Sequence, residues 1–214
     1  MRRLLPVLLL LAGCAEPPPG ASVPVPGAEH LALVPDPGPP PLERPPVATL
    51  WARTPRGWQA EGQVQAVAPG DAARVDAEGR LWVGGALTAD AVLPDLQVGL
   101  DGTLYFTRAD ARPDTDVWRL RRGGTPEPVT TDGRSDRPFP LPDGRLLWIS
   151  GAGGVAGFVV DGRRLTNLAG RVDGAFIPVP AFPAETRFED GRVTYDAGQA
   201  RWWLDPTTGE AGKL

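Results

Sequence analysis

Hydrophobic and polar positions along the 214 residues form three successive textures. The first is an apolar run, Leu4 to Leu11, behind Arg2 and Arg3 and broken once at Pro6. At about 8 residues it falls well short of the roughly 20 that a membrane-spanning helix needs, so it reads as the core of a signal peptide. The second texture has no hydrophobic period: Ala15 to Pro46 holds 12 prolines in 32 residues, including Pro17-Pro18-Pro19 and Pro39-Pro40-Pro41. Proline fixes φ and lacks an N–H, so the stretch predicts a disordered, extended spacer, on the order of 100 Å long where polyproline II holds throughout. The third begins near residue 47. Here short runs rich in Val, Leu, Trp, Tyr and Thr are separated by Asp-Gly, Gly-Gly and Pro-Asp turns, and Gly or Pro interrupts nearly every stretch long enough for a helix. That pattern predicts an all-β domain.

Within it a unit recurs: Glu78-Gly79-Arg80-Leu81-Trp82-Val83, Asp101-Gly102-Thr103-Leu104-Tyr105-Phe106, Asp143-Gly144-Arg145-Leu146-Leu147-Trp148 and Asp190-Gly191-Arg192-Val193-Thr194-Tyr195. The acid–glycine pair supplies a turn, since Gly accepts φ > 0. The apolar residues two and four places after each glycine then share one face of the strand it introduces. Gly79, Gly102, Gly144 and Gly191 are separated by steps of 23, 42 and 47 residues. The two longer steps suit a four-stranded propeller blade. Hairpins fall between them, at Val117–Leu120 before Gly123-Gly124 and at Phe158–Val160 before Asp161-Gly162, which leads to Arg163-Arg164-Leu165-Thr166.

Residues 100–167 resemble the repeats of TolB-type β-propellers. The resemblance rests on Leu141-Pro142-Asp143-Gly144-Arg145, the acidic stretch Asp110 to Asp114, Asp116-Val117-Trp118, Gly123-Gly124 and Leu165-Thr166, with Val129-Thr130 where an earlier Leu-Thr is usual. It implies a propeller-like repeat domain over 47–214, of about four blades with the first ones degenerate or replaced by another β module, and recognition of a protein or cell-envelope partner. A β-sandwich is the alternative. Pairing of Arg201–Leu204 with Ala48–Trp51 is one way for such a ring to close.

Cys14 is the only cysteine, and Leu11-Ala12-Gly13 precede it. A basic start, a short apolar core and Leu-Ala-Gly-Cys resemble a bacterial lipoprotein signal. The resemblance implies removal of 1–13 by signal peptidase II, diacylglycerol on Cys14 and a tether over 14–46. Ala15, where an inner-membrane retention Asp would stand, implies an outer-membrane, periplasmic or surface-facing protein. A lipid on Cys14 makes the membrane itself the first partner, since stable anchoring needs two acyl chains or two signals.

Charge and residue usage narrow the chemistry. The formal net charge is −4 at pH 7, more negative by two once Arg2 and Arg3 leave with the leader, which argues against nucleic-acid binding. Beyond residue 46 there is neither His nor Cys, since His30, the one histidine, lies in the spacer. A Ser-His-Asp or Cys-His nucleophile and an imidazole or thiolate metal site are therefore absent from the domain, and no cofactor is expected. Carboxylates remain: Asp110, Asp114 and Asp116 are spaced as oxygen ligands for calcium, and Asp132 with Asp136 as a glycosidase pair, but acidic turns account for both. The candidate binding surface comprises Trp51, Trp58, Trp202 and Trp203 together with Arg119, Arg121 and Arg122. The expectation is a monomeric, non-enzymatic binding or scaffold module, with a carboxylate-based glycan hydrolase or lyase as the opposing class.

Overall fold

The computed structural model describes residues 22–35, 47–111, 114–167, 171–172, 175–176, 186–197 and 200–214. The signal and lipidation residues Leu11, Ala12, Gly13 and Cys14 lie outside them. Among the described residues the chain is all β, with one 3-10 turn at Pro69–Asp71 and no helix long and apolar enough to cross a membrane.

Seven strands open the fold: β1 (Val23–Val25), β2 (Ala28–Pro35), β3 (Ala48–Thr54), β4 (Gly57–Val67), β5 (Ala73–Asp76), β6 (Leu81–Val83) and β7 (Ala86–Ala89). They form one antiparallel sheet in chain order. The expected boundary at residue 47 is thus corrected, because β1 and β2 fall inside the stretch read as a spacer. The reason is local. From Ala28 to Val34 the chain has no proline and buries Ala28, Leu31 and Ala32, while Pro24 sits in edge strand β1, where no ladder donor is needed.

Three four-stranded antiparallel meanders follow. The first is β8 (Gln97–Val98), β9 (Leu104–Ala111), β10 (Asp114–Leu120) and β11 (Glu127–Pro128). The second is β12 (Ser135–Pro140), β13 (Leu146–Ser150), β14 (Gly157–Val160) and β15 (Arg163–Asn167). After a short pair, β16 (Arg171–Val172) and β17 (Ala175–Phe176), the third is β18 (Arg187–Glu189), β19 (Arg192–Ala197), β20 (Ala200–Leu204) and β21 (Ala211–Lys213). Each is a blade-like unit, and the acid–glycine turns enter β6, β9, β13 and β19 with Gly79, Gly102, Gly144 and Gly191 all at positive φ. The seven-stranded sheet occupies the place of the degenerate first blades.

The units stack face to face in chain order. Leu104, Phe106 and Leu120 of the first blade pack on Val75, Leu81 and Val92 of the opening segment. On its other face Val117 meets Leu146 and Trp148 of the second blade. Strand β13 is buried on both sides, so its alternate residues Leu147 and Ile149 point the opposite way, into Val193, Tyr195, Trp202 and Leu204 of the third blade. The Phe158 and Tyr195 rings touch across that interface with centroids 5.7 Å apart. Removing one such buried leucine side chain costs about 2–5 kcal/mol.

The third blade turns a polar face outward. Register places Arg187, Arg192, Thr194, Asp196, Arg201 and Trp203 on that side, with Arg201 3.5 Å from Glu189 and 3.9 Å from Asp196. The expected ring closure does not occur. Arg201–Leu204 lies in β20 between β19 and β21, and Ala48–Trp51 lies in β3 between β2 and β4, so neither segment has a free edge to offer the other.

Candidate cleft at the seam between the first two blades

Where the first blade meets the second, an open cleft of about 410 Å³ lies at the Ser150 end of β13. Its polar lining is Asp114 and Thr115 from β10 with Arg134, Asp136 and Arg137 from the entry to β12. The entry is held from several directions. Asp116 accepts from the Thr130 hydroxyl at 2.9 Å and the Gly133 N–H at 3.2 Å. Asp132 accepts from the Arg134 N–H and the Ser135 and Ser150 hydroxyls at 3.0, 3.0 and 3.1 Å. The Gly151 N–H donates to the Arg134 carbonyl at 2.7 Å. The main chain of Arg134 is therefore fixed while its side chain is exposed.

Arg137 is fixed more tightly. The β12–β13 register shifts between Asp136 and Phe139, and Arg137 has φ 54°, a left-handed conformation costly for a residue that carries a Cβ and precedes proline. Its N–H donates to Asp95 Oδ2 at 3.2 Å and Thr107 Oγ1 at 3.1 Å. Asp95 is buried and also accepts from the Thr107 N–H at 2.9 Å and, by a short contact, from the Thr107 hydroxyl. A strained backbone persists only where its surroundings over-determine it, and such places concentrate at binding sites.

Burial pushes the Asp95 carboxyl up to about 6, against the hydrogen bonds from Thr107 that favour its charged form. Burial also raises Asp136, opposed by the neighbouring Arg137 guanidinium, whose Nη1 stands 3.7 Å from Asp136 Oδ1. The cleft thus offers two guanidinium groups on rigid backbone beside one exposed carboxylate, Asp114, and one half-buried one, Asp136. Such an arrangement recognises carboxylates through paired N–H donors.

The carboxylates singled out in the sequence separate. Asp132 is occupied as an acceptor by three donors and Asp136 faces the cleft without it. Asp114 lines the cleft and Asp116 braces the loop; the side chain of Asp110 lies outside the described residues. Among the described residues no group of three or more His, Cys, Asp or Glu side chains stands close enough to hold a metal ion.

The candidate surface also disperses. Arg119 and Arg121 both reach Glu127 at 3.2 Å, and Arg122 is exposed at the adjoining turn. Arg119 lines a second opening of the same seam, about 350 Å³ beside Tyr105 and Asp161, at the Leu146 end of β13. Trp202 must be withdrawn as a surface residue: at 3% exposure it is core, because its pleat position faces the second blade. Its neighbour Trp203 faces outward, half-buried, with the Arg192 guanidinium 4.1 Å from its ring centroid. Trp51 and Trp58 are half-buried on the seven-stranded sheet, far along the chain from the cleft. Sequence reasoning missed Asp95, Arg134 and Arg137; the one signal was a serine–aspartate–arginine run placed just before Pro138.

The stacked four-stranded meanders define the class: an all-β, propeller-like array with a TolB-like fold. In comparison with solved structures, TolB from Acinetobacter baumannii aligns at TM-score 0.50 and 13% identity, covering 88% of this chain and 53% of that one. A TolB candidate from Agrobacterium tumefaciens aligns at TM-score 0.31 and 16% identity, over 74% of this chain and 84% of that one. The chain therefore spans about half the length of the Acinetobacter protein. No protein-family model and no curated protein sequence matches it.

Proposed function

We propose that the chain is a monomeric, lipid-anchored protein of the cell envelope whose blade array binds a protein partner without catalysing a reaction. The anchor rests on Leu11-Ala12-Gly13-Cys14, and Ala15 favours the outer membrane. The binding reading is carried by one observation: Arg134 and Arg137 stand on braced backbone at the mouth of an open cleft. A partner segment bearing carboxylates fits that pair. The test is a pull-down from the envelope with the lipidated protein, compared with Arg134→Gln/Arg137→Gln. Recovery of a specific protein by the first and not the second supports the reading; equal recovery moves the site elsewhere. Fractionation of Cys14→Ser addresses the anchor separately, with loss from the membrane fraction expected.

The opposing reading, a carboxylate-based glycan hydrolase or lyase, has the half-buried Asp136, raised by desolvation, in its favour. Cleavage of envelope glycan that disappears in Asp136→Asn would replace the binding proposal with this one.

A further inference from the structure

The β3–β4 hairpin carries a surface that the seam does not use. Its tip, Thr54-Pro55-Arg56-Gly57, is closed by the Thr54 hydroxyl donating to the Gly57 carbonyl at 2.8 Å and accepting from the Arg56 N–H at 3.2 Å. Register pairs Arg53 with Trp58 and Trp51 with Ala60, so both tryptophans and Arg53 share one face. The opposite face, through Leu50 and Ala52, packs with Leu31 and Val64. No acidic residue occurs from Ala48 to Ala60, and Arg53 and Arg56 are exposed with no ion-pair partner among the described residues. Beyond that stretch the hairpin's own strand β4 carries Glu61, and the adjoining β2 carries Glu29 and His30, the last standing 3.9 Å from Asp71.

We propose that this hairpin docks on an anionic phospholipid surface, with Trp58 at the headgroup level and Arg53 and Arg56 on the lipid phosphates. An indole with an apolar body and a polar N–H, flanked by snorkelling cations, is the side-chain set that interfaces select. The geometry rests on the anchored reading of Cys14. Because β1 starts at Val23, only eight residues lie between it and Cys14, a reach of roughly 30 Å, where the spacer expected from the sequence was about three times longer. Val23 is level with Leu33 and, through it, with Leu50. The tip begins four residues beyond Leu50, about 13 Å along the strand, within that reach. The chain as a whole is acidic, with a formal net charge of −4, so an anionic bilayer attracts it only through a locally basic surface such as the Arg53–Arg56 tip.

The test uses the mature-length chain, residues 14–214 with Cys14→Ser, which keeps every described strand but carries no lipid. It is floated with vesicles of phosphatidylcholine alone or with about one-third phosphatidylglycerol. Binding to the anionic vesicles at low salt is expected, with loss on raising salt and roughly thirty-fold weaker partitioning for Arg53→Gln/Arg56→Gln. Trp58→Ala is expected to weaken it further, with thermal midpoints of the exposed arginine variants unchanged. Absence of binding, or equal binding to both vesicles at all salt concentrations, overturns the proposal. A concentration-dependent dimer abolished by Arg53→Gln/Arg56→Gln also overturns it, assigning the face to a second copy. If wild-type protein is missing from the membrane fraction while Cys14→Ser still floats, the anchor reading has failed and the hairpin proposal has not.

Discussion

The backbone N–H of Arg137 donates to Oδ2 of Asp95 across the seam, joining residues 42 apart in sequence at 3.2 Å. Thr107, Asp136 and Arg137 are the groups facing that carboxylate, and burial moves it from 3.8 to about 6. A carboxyl raised on folding makes the native state bind the proton more tightly than the unfolded chain. Its contribution is complete below 3.8 and is lost as pH rises through about 6. Denaturant stability is therefore expected to increase as pH falls from 7 to 5, by about 1 kcal/mol of a full contribution of about 3 kcal/mol. Asp95→Asn should abolish that slope; an unchanged slope in the variant would assign it to Asp136. The turn aspartates Asp101, Asp143 and Asp205, held low by backbone N–H groups two residues on, act in the opposite direction and only below 3.8.

Tyr195 is fully buried between the second and third blades, and its hydroxyl has no hydrogen-bond partner among the described residues. Burial without a partner raises its pKa strongly and costs stability. Tyr195→Phe is expected to raise the denaturant midpoint, by about 1 kcal/mol, with the Phe158 contact kept. A destabilised variant would mean that the hydroxyl is satisfied.

Trp203 lies flat on Gly212. A Cβ added at Gly212 would meet Trp203 Nε1 at 2.5 Å and Cε2 at 2.7 Å, so the indole must leave its place beneath Arg192. Gly212→Ala is expected to cost about 1–3 kcal/mol and to change tryptophan emission. Arg192→Ala, which removes only the stacked cation, should cost about 0.5–1 kcal/mol.

Two arginines of the second blade grip the β20–β21 turn of the third. Arg145 Nη1 donates to the Pro206 carbonyl at 3.2 Å and Arg163 Nη2 to that of Thr207 at 2.7 Å. Replacing both with alanine is expected to cost about 1 kcal/mol and to speed proteolytic cleavage at that turn, with cleavage elsewhere unchanged.

What could be read in the sequence was what period and turn chemistry dictate. Gly102, Gly144 and Gly191 mark strand entries, and pairs such as Val193 and Tyr195 share a face because the strand period is two. Two neighbours, Trp202 and Trp203, show the limit: the period requires opposite faces, but only the third dimension says which one meets Leu147. The Arg119–Glu127 pairing depends on a hairpin register that composition does not encode. Strand β2 is hidden because flanking prolines dominate the composition and its interior, Ala28–Val34, shows no clean alternation, with Glu29 and His30 both exposed and Leu31 and Ala32 both buried. The seam cleft was invisible for a different reason. Asp95, Thr107 and Arg137 converge through tertiary contacts between separate sheets, and no spacing rule links them.

Within every sheet each strand pairs with its immediate neighbour in sequence, from β1 to β7 and again within each meander. No early strand has to wait for a late one. Contact order is consequently low for an all-β protein, and a chain emerging end-first from a ribosome or translocation pore can add one hairpin at a time onto a finished surface. The charged outer side of the β18–β21 meander, with Arg201 3.5 Å from Glu189 and 3.9 Å from Asp196, is the last surface that this order of assembly lays down among the described strands.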